Sequence, residues 1–159
     1  MSTEGNKTLY KGIPNLKDAF IVIVKTEWNA AIVDKLEEGA VSVLDQNAIQ
    51  HQTLIVPGAV EIPFMINAYS KSNERKADAF IALGTVIRGD TPHFDYVCKL
   101  VTEGILQLNL QLSSPVIMGI LTVNTMQQAE ERTGGIHGQK GSEAAVAAMK
   151  MIALNRQLS

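Results

Sequence analysis

The residues of this 159-residue chain able to do more than pack are few: three histidines, one tryptophan, one cysteine, and two cations beside a run of glycines. His93 follows Thr91-Pro92 and opens an apolar pattern at helical spacing, which places it just inside a helix N-terminus. Backbone N–H groups exposed there favour an anion and a neutral imidazole. Such an imidazole can act as general acid or base near neutral pH, and it can equally be a histidine packed at a helix start. Asp90 suits the helix dipole but would repel an anion if turned inward, so it is expected to point outward. Arg132 and Lys140 flank the glycine-rich stretch, either as a solvated helix end and flexible turn or as cations held for a phosphate. Trp28 offers a core side chain or a face for stacking a planar ring. Glu61 is a helix-start carboxylate or a partner for ligand hydroxyls, and Cys98 reads as inert packing rather than a nucleophile.

Several chemistries fail on spacing. Gly84 and Gly89 stand at the glycine separation of a phosphate-binding loop, but Asp90 occupies the place of its lysine. No G-x-G-x-x-G follows the first strand pattern. His51, His93 and His137 are scattered and pair with no cysteine at ligand spacing, so no metal is expected.

The elements that must position these residues alternate. Phe20–Val24 is a β-branched run suited to a strand buried on both faces. Ile32, Val33, Leu36, Ala40, Val43 and Leu44 then recur at helical spacing, with Asn29 as the expected N-cap. Thr53–Val56 reads as a second strand, followed by a helix over Glu61–Ser70 with Pro63 in its first turn. Ala79–Thr85 is a third strand, and Thr91 as N-cap with Pro92 at the first position predicts the next helix. Val116–Thr122 is a fourth strand, Met126–Arg132 a short helix, and Ser142–Leu158 a terminal one. Strands alternating with helices predict a three-layer αβα sandwich around a four-stranded parallel sheet, flavodoxin-like, as a single domain over residues 1–159. Ligands of such sheets bind outside the carboxyl ends of the strands. Trp28, Gly58–Glu61, Ile87–His93 and Thr122–Asn124 all fall there.

Composition narrows the partners. Fourteen basic against sixteen acidic side chains leave a net charge of -2, and aromatics are 5%, which argues against a nucleic-acid surface. No apolar run approaches the ~20 residues a bilayer span needs, so no membrane is expected either. One cysteine fits a reducing compartment, and a cytoplasmic protein is expected. Charged residues are only 19%. A chain this size then has either an unusually large core or a surface covered by copies of itself. The polar arm over 1–18 is expected to be disordered or to contact a neighbouring subunit.

Taken together, Val56-Pro57-Gly58-Ala59-Val60-Glu61-Ile62-Pro63, Gly84 through Phe94, Gly119–Thr122 with Gln128–Arg132, and Gly138-Gln139-Lys140-Gly141 closely resemble the lumazine synthase family. The matching order and spacing run from about Ala19 to the C-terminus. The resemblance implies condensation of 5-amino-6-ribitylaminouracil with 3,4-dihydroxy-2-butanone 4-phosphate to 6,7-dimethyl-8-ribityllumazine, the penultimate step of riboflavin biosynthesis, by a transferase without cofactor or metal. It implies that Trp28 stacks on the pyrimidine, that Ala59, Val60, Glu61 and Ile62 hold the ribityl chain, and that Val86 and Ile87 touch the uracil edge. It further implies phosphate at Gly89, Asp90, Thr91 and Arg132, proton transfer by His93, and Lys140 close to the heterocycle. Met118 lies where some relatives place an aromatic from the adjacent subunit, so apolar contact is implied there rather than stacking. Gln127 and Gln139 replace a commonly acidic residue and a common Asn. The implied assembly is a homopentamer, extended by the compact Gly134–Gly141 turn to an icosahedral shell of sixty copies, with riboflavin synthase as a partner. The other readings of these residues are a non-catalytic flavin or ribityl-ligand binding module and a purely shell-forming homologue.

Overall fold

A computed structural model describes residues 8–16, 18–72 and 74–158. Four parallel strands, β1 (Phe20–Thr26), β2 (Gln50–Val56), β3 (Ala79–Ile87) and β4 (Val116–Val123), form a sheet in the order β2-β1-β3-β4. Alternate residues of one strand enter opposite cores, because strand side chains change face at every residue. Ile21, Ile23, Ile81 and Leu83 meet helices α1 (Ala30–Gln46) and α5 (Lys140–Gln157) on one side. Phe20, Val22, Val24, Phe80 and Ala82 meet α2 (Ile62–Ser70) and α3 (His93–Gln111) on the other. The expected three-layer sandwich is therefore the one that forms.

Two glycines set how closely the helices approach. A Cβ on Gly141 would lie 1.8 Å from the Leu36 carbonyl oxygen, so α5 starts against the backbone of α1 only because no side chain intervenes. A Cβ on Gly104 would lie 2.6 Å from Pro63 Cγ, and its absence lets α2 settle on α3. Both contacts hold the helices whose N-terminal ends border the upper rim of the sheet.

Some boundaries differ from the sequence reading for local reasons. Asn29 does precede α1, but in the left-handed region (φ 60°) and without capping it. Its side-chain Nδ2 instead donates to Thr85 O at 2.8 Å, tying the first loop to β3. Helix α3 starts at His93, one residue late, with Pro92 at the cap. Thr91 Oγ1 accepts from His93 N at 3.4 Å. Ala59–Glu61 is a separate 3₁₀ turn rather than the first turn of α2, and the short helix α4 stops at Glu130 (Met126–Glu130). The glycine-rich stretch is a β-hairpin, β5 (Thr133–Gly135) against β6 (Gly138–Gln139), not a flexible turn. Gln139 then caps α5: its Oε1 accepts from Gly141 N and its Nε2 donates to Lys35 O of α1, both at 2.7 Å. A glutamine cap lies outside the usual N-cap residues, so the helix start two residues before Ser142 carried no signal.

Of the N-terminal arm, residues 1–7 and Lys17 lie outside the described residues. Within the rest, Leu16 is buried and Ile13 packs on the α1/α5 core, while Lys150 Nζ of α5 donates to Lys11 O at 2.8 Å. At the edge of the sheet away from the strand ends, Arg156 pairs with Asp18 and Asp78, and Asp78 also accepts from Phe20 N.

Candidate functional site

Because β1 to β4 are all parallel, their four carboxyl ends share one rim, and the loops leaving them are stitched together. The ladder continues past the strand ends, with Glu27 N donating to Val56 O at 2.8 Å and Trp28 N to Pro57 O at 3.1 Å. Thr26 Oγ1 donates to Trp28 O at 3.0 Å. With the Asn29–Thr85 bond, the loops after β1, β2 and β3 form one connected surface. Trp28 stands on it 76% exposed, so the core alternative for this indole does not hold. A large apolar ring left this bare beside polar backbone marks a face built to be covered.

The 3₁₀ turn bends over this rim and packs against β3 and α3. It presents Val60 to solvent, with Ala59 and Glu61 half-buried. Ile62 is different: its side chain is fully buried in the α2/α3 core, which leaves only its main chain to a ligand. Val86 and Ile87, at the end of β3, are half-buried and pack on opposite cores. Beyond them Gly89, Asp90, Thr91 and His93 are all exposed at the start of α3. His93 is therefore not a packed histidine. The N–H groups of this 19-residue helix point at the same rim, an arrangement that favours an anion.

Three residues stand apart from this cluster. Met118 pairs with Ala82, five residues short of the strand end, which at ~3.3 Å per residue is about 16 Å below the rim. It is exposed on the free edge strand β4. Lys140 lies where α5 meets the Lys35–Gly39 stretch of α1, on the far side of the sheet from the 3₁₀ turn and α3. Its Nζ pairs with both Glu143 carboxylate oxygens at 2.9 Å. Arg132 follows α4 beyond the end of β4, and its Nη1 donates to Gln128 O at 2.7 Å. The hairpin it enters packs against α1, α4 and α5. One chain thus assembles Trp28, residues 59–62, 86–87 and 89–93, sets Arg132 beyond the end of β4 at the start of the hairpin, and carries Met118 and Lys140 on other faces.

Two residues of the rim escape sequence reasoning. Asn29 looked like a cap, and only its left-handed backbone, which Asn tolerates well, frees its amide to reach β3. Arg88 is a plain exposed arginine in sequence, yet its guanidinium meets three different partners, Asn124, Asp95 and the Phe94 ring. Cys98 sits behind the rim on α3, where burial and the nearby Asp95 carboxylate push its thiol up and away from nucleophilic use. Among the described residues, no group of three or more His, Cys, Asp or Glu could hold a metal ion, and no helix is long and apolar enough to cross a membrane.

Comparison with known proteins shows the family. The model of the 6,7-dimethyl-8-ribityllumazine synthase family matches residues 18–156. A Porphyromonas gingivalis protein named 6,7-dimethyl-8-ribityllumazine synthase is 48% identical over 150 residues, 92% of either chain. Proteins of the same name from Parabacteroides distasonis and Bdellovibrio bacteriovorus are 46% and 44% identical, covering 90% and 86% of this chain and 90% and 75% of theirs. With the matched span containing the whole rim, the hairpin and α5 up to Arg156, the chain belongs to the 6,7-dimethyl-8-ribityllumazine synthase family.

Proposed function

We propose that this chain condenses 5-amino-6-ribitylaminouracil with 3,4-dihydroxy-2-butanone 4-phosphate, releasing 6,7-dimethyl-8-ribityllumazine, phosphate and water. The observation that carries the reading is the juxtaposition, on one rim, of a bare indole, a half-buried carboxylate turn and an anion-favouring helix start. The pyrimidine stacks on Trp28, its ribityl chain lies along Ala59–Ile62 with Glu61 accepting from hydroxyls, and Val86 and Ile87 border the uracil edge. The phosphate sits at Gly89, Asp90 and Thr91 before α3, with Arg132 as its bidentate partner. Asp90 stays turned to solvent, because a carboxylate beside the phosphate would oppose it.

Chemistry then asks little of the side chains. The pyrimidine amine attacks the ketone and water leaves to give the imine, phosphate is eliminated, and the second nitrogen closes the ring with loss of another water. Each step needs protons moved at neutral pH, a task within reach of the exposed His93 imidazole. Holding two substrates in register supplies much of the acceleration, and such orientation is worth up to roughly 7–11 kcal/mol. No cofactor or metal enters this scheme. As a group transfer with phosphate as leaving group, it is a transferase reaction.

Met118 and Lys140 complete the site only if they come from a second copy, as does Arg132 on the α1/α5 side of the hairpin. The surface supports this: Tyr96, Leu100, Leu106 and Leu110 of α3, with Phe64 of α2, are all more than half exposed. A sparsely charged chain with a bare apolar helix face fits self-association better than a large private core. We therefore read the working unit as a homopentamer, with sixty-copy shells, riboflavin synthase as a partner and a cytoplasmic setting as further proposals. Mixing both substrates with purified protein and following lumazine absorbance together with released phosphate tests the reading. Product and phosphate in equal amounts support it, and folded, assembled protein that forms neither overturns it.

A further inference from the structure

Arg88 is the last residue before the exposed loop Gly89–Pro92, and its bonds run to the loop's other end. Its Nη2 donates to Asp95 Oδ1 at 2.9 Å, and its guanidinium carbon lies 4.1 Å over the Phe94 ring. Phe94 and Asp95 directly follow His93, so one planar group closes the loop onto the first turn of α3. A third tie fixes the guanidinium in rotation: Nε donates to Asn124 Oδ1 at 3.1 Å, just past the end of β4. The Arg88 amide itself donates to Val123 O at 2.9 Å. From Asn124 the series continues, since Asn124 N donates to Gln128 Oε1 at 2.8 Å and Gln128 O accepts from Arg132 Nη1 at 2.7 Å. The residue that opens the loop is thus bonded, through two neighbours, to Arg132.

Stability is a poor explanation for this cluster. The Arg88 and Asp95 side chains are 43% and 62% exposed, and ion pairs in such surroundings add little to stability. What three differently directed contacts on one rigid fork do supply is geometry. We propose that Arg88 is a positioning residue for the phosphate-bearing substrate, holding Gly89–Thr91 and His93 in the orientation that receives the phosphate and, through Asn124 and Gln128, aligning the Arg132 that this copy lends to its neighbour's site. It touches no substrate itself. This deepens, and rests on, the assignment of 89–91 as the phosphate loop.

Lysine keeps the charge of Arg88 but has no fork, no Nε and no plane to lay on Phe94, so charge alone is separable from geometry. The test uses the assembled full chain and the variants Arg88→Ala, Arg88→Lys and Asn124→Ala. Inorganic phosphate is titrated by calorimetry, and KM is measured for each substrate. Arg88→Ala and Arg88→Lys should both weaken phosphate binding and raise KM for the butanone phosphate by roughly ten- to a hundredfold, as small misplacements do. KM for the pyrimidine should move less than about twofold, and the thermal midpoint should hold, since the pair is exposed. Unchanged phosphate affinity in folded Arg88→Ala, or full recovery by Arg88→Lys, overturns the proposal. Should Arg88→Ala fail to fold, Asn124→Ala removes one tie and must shift the same phosphate terms by several-fold, and no shift there overturns the proposal equally. Wild-type protein that makes no lumazine while losing phosphate on Arg88→Ala defeats the reaction assignment and leaves the positioning role standing.

Discussion

Removing the indole of Trp28 separates binding from folding more cleanly than any other change on the rim. The side chain is 76% exposed in the chain. Taking about 250 Å² for a whole Trp, roughly 190 Å² is bare, and a planar ligand stacked on one face covers about half of that. At about 25 cal/mol per Å² those ~90 Å² are worth about 2 kcal/mol, or roughly thirtyfold in Kd. Trp28→Ala should therefore weaken the pyrimidine substrate about thirtyfold, while unfolding free energy shifts by no more than about 0.5 kcal/mol, as for other exposed sites. Trp28→Phe keeps a ring face and should lose only a few-fold. Trp28 is the only tryptophan, so pyrimidine binding by wild type is read directly from quenching of its emission. The variants are titrated by calorimetry instead. Pyrimidine affinity unchanged in Trp28→Ala, or a stability loss near 2 kcal/mol with affinity intact, would refute a stacking platform and return the indole to packing.

Three further outcomes follow from named contacts. Arg132→Ala should raise KM for the butanone phosphate far more than for the pyrimidine, and equal changes in steady-state kinetics would contradict its phosphate role. Gly141→Ala places a Cβ 1.8 Å from Leu36 O, and the forced separation of α1 and α5 should cost about 1–3 kcal/mol in urea unfolding despite the better helix propensity of Ala. A variant as stable as wild type would show that the two helices do not meet there. Lys25 is desolvated, which alone lowers its pKa, but the hydrogen bonds it donates to the Asp34 and Glu37 carboxylates outweigh this and hold the ammonium above its ordinary value. A raised folded value means the contribution is full below the unfolded lysine pKa of ~10.4 and disappears as pH climbs past the folded one. Alkaline unfolding of Lys25→Met should lack that component above about pH 10, and an unchanged profile would remove the cluster from the account.

The layers were legible because their signals are local. Phe20 is followed by Ile21–Val24, β-branched throughout, and such a run has few homes other than a strand covered on both faces. The rim was legible for a topological reason: parallel strands put every post-strand loop on one edge, so distant motifs converge without any pairwise contact being known. What escaped depends on backbone conformation or on contacts distant in sequence. Asn29 gave up its cap role to reach across to Thr85, Gln139 took over a cap from the residue types that normally hold it, and the glycine stretch paired into a hairpin. Arg88 is an unremarkable charge until Phe94, Asp95 and Asn124 surround it. Met118 and Lys140 show the deeper limit, since one chain folds them away from Trp28 and His93, and their proposed place in the site requires a second copy.

Whether the condensation site is built by two copies is decided most directly by mixing two variants of low activity. His93→Ala lacks the imidazole proposed for proton transfer, and Arg132→Ala lacks the cation assigned to the neighbouring copy. Equal amounts are denatured together, refolded into mixed assemblies, and assayed for lumazine formation. If each site takes its rim from one copy and Arg132 from the next, random mixing restores both intact halves in roughly a quarter of sites. Activity near that fraction of wild type is expected. Mixed assemblies no more active than their separately refolded parents would contradict it.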